Sequence, residues 1–209
     1  SHGLRIGAVV NTVRWAFNAQ TAGHAGTLDP EATGLLAIAL GEATKTIPYI
    51  TDAEKAYEFS IELGIATNTD DAEGEIVATC PKRPTNAEII KKLEAFIGET
   101  MQVPPKFSAV KINGERAYNL ARAGAEIKIS ARPLFVSELT LIDRPSVNTA
   151  VLKMTCGKGG YVRAVARDLG QALGCYAHVT KLRRISSGPC ELEHTDTLDS
   201  LELFAKTLE

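Results

Sequence analysis

A chain of 209 residues, 44% hydrophobic and 23% charged, is long enough to bury a core and has the ordinary composition of a soluble globular protein. No apolar run approaches the roughly 20 residues of a membrane-spanning helix, and the start lacks the basic end and apolar run of a signal peptide, so a cytoplasmic protein is expected. The net charge of −2 conceals an asymmetry, with −6 over residues 1–103, +9 over 104–184 and −5 over 185–209; a basic middle between acidic ends is the footprint of a polyanion-binding face or, equally, of a solvated surface.

Ser1-His2 reads as a tag remnant outside the fold. Val9, Val10, Val13, Ala16 and Phe17 recur at helical spacing and predict an amphipathic helix over about 7–18, with Trp15 in core or interface packing. Residues 23–34 are rich in small and turn-forming types and read as a loop. The apolar run 35–40 behind them reads as a strand buried on both faces. A loop anchored to a buried strand is a usual place for chemistry, and in its middle sits the carboxylate of Asp29, restricted by Pro30 to extended conformations. Asp-Pro taken alone reads as a turn. A short helix is predicted from about 43 to 50. Residues 55–63 then alternate, with Tyr57, Phe59, Ile61 and Leu63 on one face of a half-buried strand; Tyr57 in isolation is a core tyrosine with its hydroxyl at the sheet edge. Residues 67–74 are a polar turn cluster without the ligand spacing of an EF-hand. Thr85 and Glu88 form a capping box for a helix whose buried stripe is Ile89, Ile90, Leu93 and Phe96 and which Gly98 ends.

Residues 104–122 are basic, punctuated by proline and glycine, and interleaved with Phe107 and Tyr118. They read either as a surface loop with a short helix or as an RNA-contacting flap in which Lys and Arg neutralise phosphates. Two strands are predicted at 132–142 and 147–156, joined by a turn at Arg144-Pro145-Ser146. The glycine-rich stretch 157–160 opens a helix that continues through Val165, Leu169 and Leu173 and stops at Gly174; it is not a Walker loop. Residues 177–184 read as a strand, with His178 a satisfied structural histidine, and an acidic helix closes the chain over about 198–208. Four cysteines without a C-x-x-C pair and four histidines without H-x-x-x-H argue against a metal site and for free thiols in a reducing compartment.

The string Gly23-His24-Ala25-Gly26-Thr27-Leu28-Asp29-Pro30-Glu31-Ala32-Thr33-Gly34 resembles the catalytic motif G-H-x-G-T-L-D-P-x-A-x-G of the TruB/dyskerin-type pseudouridine synthases. Gly41-Glu42-Ala43-Thr44-Lys45 is similar to their bacterial branch, the tRNA pseudouridine-55 synthases. Further matches run along nearly the whole chain. Lys55-Ala56-Tyr57 resembles the K-x-Y motif, residues 67–74 the T-x-T-x-D-x-x-G turn, and residues 104–122 the P-P-x-x-S-A-x-K-x-x-G-x-x-x-Y-x-x-A-R segment. Residues 159–163 resemble G-T-Y-[IV]-R with Gly160 in place of threonine, and Leu182-Arg183-Arg184 the L-R-R motif.

The resemblance implies an α+β fold around a mixed, largely antiparallel pseudouridine-synthase sheet with flanking helices and a basic RNA-binding cleft. It also implies one catalytic domain over 1–209 with an RNA-clamping insertion at about 104–132. The family's strand and Lys-Pro-x-Gly loop before the first helix are not found, which implies a missing N-terminal segment or residues lost near Ile6 and Gly7. The PUA-like C-terminal domain is not found either. The implied catalytic residues are Asp29, Tyr57 and Arg163. The implied substrate-binding residues are His24, Leu182, Asp71, Lys106, Lys111, Tyr118 and Arg122, with the turn motif implying that Asp71 lies near the catalytic arginine. The implied reaction flips uridine out of the T loop of tRNA, breaks its C1′–N1 bond with the aspartate and rejoins the base through C5. No redox step occurs, so no cofactor is expected; the expected partner is the tRNA T stem-loop, with no membrane and no obligate protein partner, and the chain is expected to be a monomer. Two other classes compete from the residues alone: a non-catalytic RNA-binding or tRNA-folding module that keeps the basic flap, and a carboxylate glycosidase, for which Asp29 with Asp71 is the only pair to propose.

Overall fold

The structure is a computed structural model that describes residues 6–112, 114–125 and 127–207. Ser1-His2, and Leu208 at the end of the expected last helix, lie outside the described residues. In chain order the elements are α1 (Ile6–Ala16), β1 (Ala22–Ala25), β2 (Thr33–Gly34), β3 (Ala37–Leu40), α2 (Ile47–Asp52), β4 (Lys55–Leu63), β5 (Ile65–Thr67) and β6 (Ile76–Thr79). Then come α3 (Asn86–Leu93), β7 (Gly98–Gln102), β8 (Lys111–Ile112), β9 (Glu115–Arg116), α4 (Ala117–Arg122), β10 (Arg132–Asp143), β11 (Thr149–Cys156), α5 (Val162–Ala172), β12 (Ala177–Ser187), β13 (Cys190–Glu191) and α6 (Leu198–Lys206). The chain divides into two compact units, Ser1–Tyr57 with Leu182–Glu209, and Glu58–Lys181.

In the second unit the strands are ordered β12, β4, β11, β10, β7. The long β10 runs antiparallel to both β11 and β7. Alternation along β11 sends Ala150, Leu152, Met154 and Cys156 inward, and along β4 it sends Phe59, Ile61 and Leu63 inward, as the sequence predicts. One face of α5, with Val162, Val165, Ala166 and Leu169, is buried, and α3 packs against α5 and β10 through Ile89 and Leu93. The capping box of α3 is present in both halves: Thr85 Oγ1 accepts from Glu88 N and the Glu88 carboxylate accepts from Thr85 N. Ile90, expected in the buried stripe, is 52% exposed because α3 offers only its Ile89–Leu93 edge to the sheet.

In the first unit β1 and β3 form an antiparallel two-stranded sheet with His24 opposite Ile38. The helix α1 packs on β1 and α6, with Phe17 and Phe204 ring centroids 6.0 Å apart. The strand β12 pairs antiparallel with β13 and parallel with β2, which makes the fold's sheet mixed. Two expectations fail here. Trp15 is 72% exposed, since Val13 is the α1 position that faces inward. The run 35–40 is not buried on both faces: Leu35 is, but β3 has β1 as its one strand neighbour and stays half-buried throughout. Among the described residues no helix is long and apolar enough to cross a membrane.

Candidate active site and RNA-contacting segment

The sequence-predicted site residues divide between the units. His24, Asp29, Tyr57 and Leu182 belong to the first, and Asp71, Lys106, Lys111, Tyr118, Arg122 and Arg163 to the second.

In the first unit the chain leaves β1 at Ala25, makes the loop that carries Asp29, and rejoins the structure at β2. Gly26, with φ +84°, starts that loop. At Gly34, with φ +95°, an added Cβ would lie 2.2 Å from the Arg184 carbonyl oxygen, so only glycine allows the parallel pairing of Thr33 and Gly34 with Arg183 and Arg184. Between these ends the Asp29 carbonyl accepts from Ala32 N at 2.9 Å and closes a tight turn. Asp29 itself is half-buried. His24, on β1, has Nδ1 3.4 Å from Gly26 O. Tyr57 is buried on β4, while Leu182, on β12, is half-buried and takes a hydrogen bond on its carbonyl from Thr33 Oγ1 at 3.4 Å.

Two buried cations that the sequence reading passed over hold this framework. Arg184 is fully buried; its Nε donates to Leu35 O at 2.8 Å and its Nη1 to Thr27 O at 3.3 Å, so one guanidinium grips the loop on both sides of Asp29. Lys55 is also buried, and its Nζ donates to the carbonyls of Ile50, Thr51 and Ala53, which satisfies the C-terminal end of α2. Both cations belong to motifs matched above. Lys55 shares the inward parity of Tyr57 and Phe59 on β4, but its charge reads as surface; the mixed apolar and basic pattern of β12 gave no sign that Arg184 turns inward.

In the second unit α5 carries Arg163, which is 7% exposed. Its Nη1 reaches Asp71 Oδ2 at 3.3 Å and Thr69 O at 3.1 Å, and its Nη2 donates to Phe107 O at 3.1 Å. The other Asp71 oxygen, Oδ1, accepts from Thr69 Oγ1 and from Glu73 N, which leaves Oδ2 aimed at the arginine. The adjacent Asp70 has φ 62°, a left-handed backbone uncommon outside glycine, and pairs with Arg167 at 3.1 Å. Burial pushes the Asp70 carboxyl above its ordinary value against the pull of Arg167. His178 has the structural role expected, buried with Nδ1 3.0 Å from Ile65 O.

The 104–122 stretch forms β8, β9 and α4, with Pro104 and Pro105 buried and Lys106, Lys111, Arg116 and Arg122 exposed. The guanidinium carbons of Arg116 and Arg122 lie 5.9 Å and 5.7 Å from the Tyr118 ring centroid, a cation–π arrangement that groups charge around one aromatic ring. Phe107 is half-buried. Among the described residues no cluster of three or more His, Cys, Asp or Glu side chains is arranged to hold a metal ion.

The model of the TruB family pseudouridylate synthase N-terminal domain matches residues 14–162, which include the Asp29 loop, the Asp71 turn and the basic segment. The chain belongs to the TruB family of pseudouridylate synthases. It is therefore an enzyme of the isomerase class. The tRNA pseudouridylate synthase B C-terminal domain matches residues 163–208, which begin at Arg163. Proteins called tRNA pseudouridine synthase B from Ruegeria sp. (strain TM1040) and Ruegeria pomeroyi are each 64% identical over 207 residues, 99% of this chain and 68% of the relative. Among solved structures, a chain of a Cbf5-Nop10-Gar1 complex superposes with a TM-score of 0.70 at 27% identity, covering 91% of this chain and 47% of that one. This chain thus spans about two thirds of those relatives and about half of that solved chain.

Proposed function

We propose that this chain isomerises uridine to pseudouridine at position 55, in the T loop of tRNA, with Asp29 as the catalytic carboxylate. The relatives named for pseudouridine synthesis in tRNA support the substrate class. The observation that carries the site assignment is the built loop: the Asp29 carboxylate held between Gly26 and Gly34, in a segment gripped on both sides by the buried Arg184.

The target uridine must leave the base stack before a side chain can reach its glycosidic bond, at a cost of roughly a few kcal/mol. His24 fills the vacated stacking space, and Tyr57 and Leu182 sandwich the flipped base. Asp29 breaks the C1′–N1 bond, by attack on the sugar or base or by removal of a sugar proton. The freed uracil turns, C5 bonds to C1′ and any bond formed to Asp29 is released; the C5 proton passes to a base, for which Tyr57 is the candidate, and N1 takes up a proton in place of its bond to C1′. Arg163 is the cation of the proposed catalytic set, a group that favours an ionised carboxylate, and Asp71 fixes its guanidinium. Lys106, Lys111 and Arg122 neutralise phosphates, and Tyr118 packs among them. Every step is an exchange of bonds and protons without electron transfer. No observation favours the non-catalytic RNA-binding module.

The test is incubation with a tRNA transcript followed by chemical mapping of pseudouridine. One modified nucleotide in the T loop is expected. A folded protein that leaves every uridine of the transcript unmodified contradicts the reading.

A further inference from the structure

The chain leaves β7 at Gln102 and re-enters the sheet at Arg132, and the basic arm lies between these points. The root of the arm is tied to α5 at three places. Gln102, buried, exchanges two hydrogen bonds with the Tyr161 backbone: Oε1 accepts from Tyr161 N at 2.9 Å and Nε2 donates to Tyr161 O at 3.2 Å. Arg163 donates to Phe107 O. Arg167 Nη2 donates to Val103 O at 2.8 Å.

Arg163 and Arg167 stand four residues apart, hence on one face of α5. The same face grips the 67–74 turn: Arg163 holds Thr69 and Asp71, and Arg167 Nη1 holds Asp70 Oδ2 at 3.1 Å. The remaining nitrogen, Arg167 Nε, donates to Asp168 Oδ1 at 2.8 Å. All three guanidinium nitrogens of Arg167 therefore donate to protein acceptors, and Arg167 is mostly covered, with its side chain 23% exposed. Asp70, its partner, is held in a left-handed backbone of the kind that persists where the surroundings impose it. This is the geometry of a brace rather than of a phosphate ligand.

We propose that Arg167 is a positioning residue that braces both the arm root and the 67–74 turn on the helix carrying Arg163, so that RNA held by the arm arrives in register with Arg163. The proposal rests on the reading of residues 104–132 as the RNA arm.

Hydrogen exchange on the full chain, without RNA, tests the brace directly. Arg167→Met is expected to speed exchange in residues 103–125 and 67–74 by about tenfold, the worth of one charge-assisted hydrogen bond, while β10 and β11 keep their protection. T-arm RNA should then bind about tenfold more weakly with an unchanged log–log salt slope, since no phosphate contact is lost. Arg167→Lys should recover only part of the loss, because an ammonium does not reproduce the planar fork. Unchanged exchange in folded Arg167→Met overturns the proposal, as does a uniform rise across the whole chain, or a shallower salt slope, which would make Arg167 a phosphate ligand. Should Arg167→Met not fold, Asp70→Asn removes one side of the brace while asparagine tolerates the left-handed backbone; exchange left at wild-type rates in the arm and turn then overturns it. A wild-type chain that binds no T-arm RNA refutes the RNA reading of the arm, and the exchange data still decide the brace.

Discussion

Replacing Arg184 by methionine should keep the fold and slow the chemistry. The guanidinium is fully buried, with Nε on Leu35 O at 2.8 Å, Nη1 on Thr27 O at 3.3 Å and no partner for Nη2 among the described residues. A hydrogen bond to a charged group contributes about 1.5–3 kcal/mol, and the longer Thr27 contact belongs at the low end, so the pair is worth about 3–4 kcal/mol. The unpartnered Nη2 costs about 1–3 kcal/mol, which the substitution relieves. The net loss is about 0–3 kcal/mol, a fall of at most about 12 °C in Tm for a chain of this size. The kinetic effect has a separate origin. Both accepting carbonyls flank Asp29, and a misplacement of about 1 Å at a reacting group costs about 100-fold. Single-turnover pseudouridine formation at saturating T-arm RNA is expected to fall by about 10- to 100-fold, with the Kd for RNA within about threefold of wild type. Arg184→Lys keeps the charge without the fork and should fall between the two. A folded Arg184→Met variant that works at the wild-type rate would refute the claim that this arginine holds the Asp29 loop.

Two further predictions follow from the second unit. If Lys106, Lys111 and Arg122 touch phosphates, the triple alanine variant should flatten the log–log salt dependence of RNA binding by a slope of roughly 0.9 per contact, by analogy with duplex DNA, and an unchanged slope would make the +9 balance of residues 104–184 a solvated surface only. Burial raises the Asp70 carboxyl above the ordinary Asp value of about 3.9, so between that value and its folded one the native chain binds more protons than the unfolded chain. The stability advantage of wild type over Asp70→Asn should therefore shrink as pH rises through this window; a growing advantage in denaturant titrations would contradict the direction of the shift.

What could be read from the sequence was what local patterning controls. The alternation of Phe59, Ile61 and Leu63, the Thr85–Glu88 capping box and the stop of α5 at Gly174, whose φ is +68°, all depend on neighbours within a few residues. Long-range packing was not legible. The apolar stripe of α1 does not reveal that Trp15 faces solvent, and an apolar run does not reveal that β3 has one strand neighbour. The charged residues were the hardest. Lys55 has the inward parity of Tyr57 but a charge that reads as surface, and the mixed pattern of β12 leaves Arg184 unplaced, yet both are buried because backbone carbonyls wait for them: the end of α2 for Lys55, and Thr27 and Leu35, about 150 residues away in sequence, for Arg184. For the site, the motifs picked out Asp29, Asp71 and Arg163. The structure shows the pairing of Asp71 with Arg163, at 3.3 Å, that the turn motif implies, and adds the hydrogen bond that ties Arg163 to Phe107, which residue patterns alone did not contain.

The central claim, that Asp29 performs the chemistry, is tested most directly by Asp29→Asn in a single-turnover assay on a T-arm transcript with chemical mapping of the product. The substitution is nearly isosteric, so the variant should melt within about 4 °C of wild type, the shift that goes with roughly 1 kcal/mol in a chain of this size, and still bind the transcript. The account predicts no detectable pseudouridine from this folded, RNA-binding variant. Pseudouridine formed at the wild-type rate would contradict it and move the chemistry to another residue.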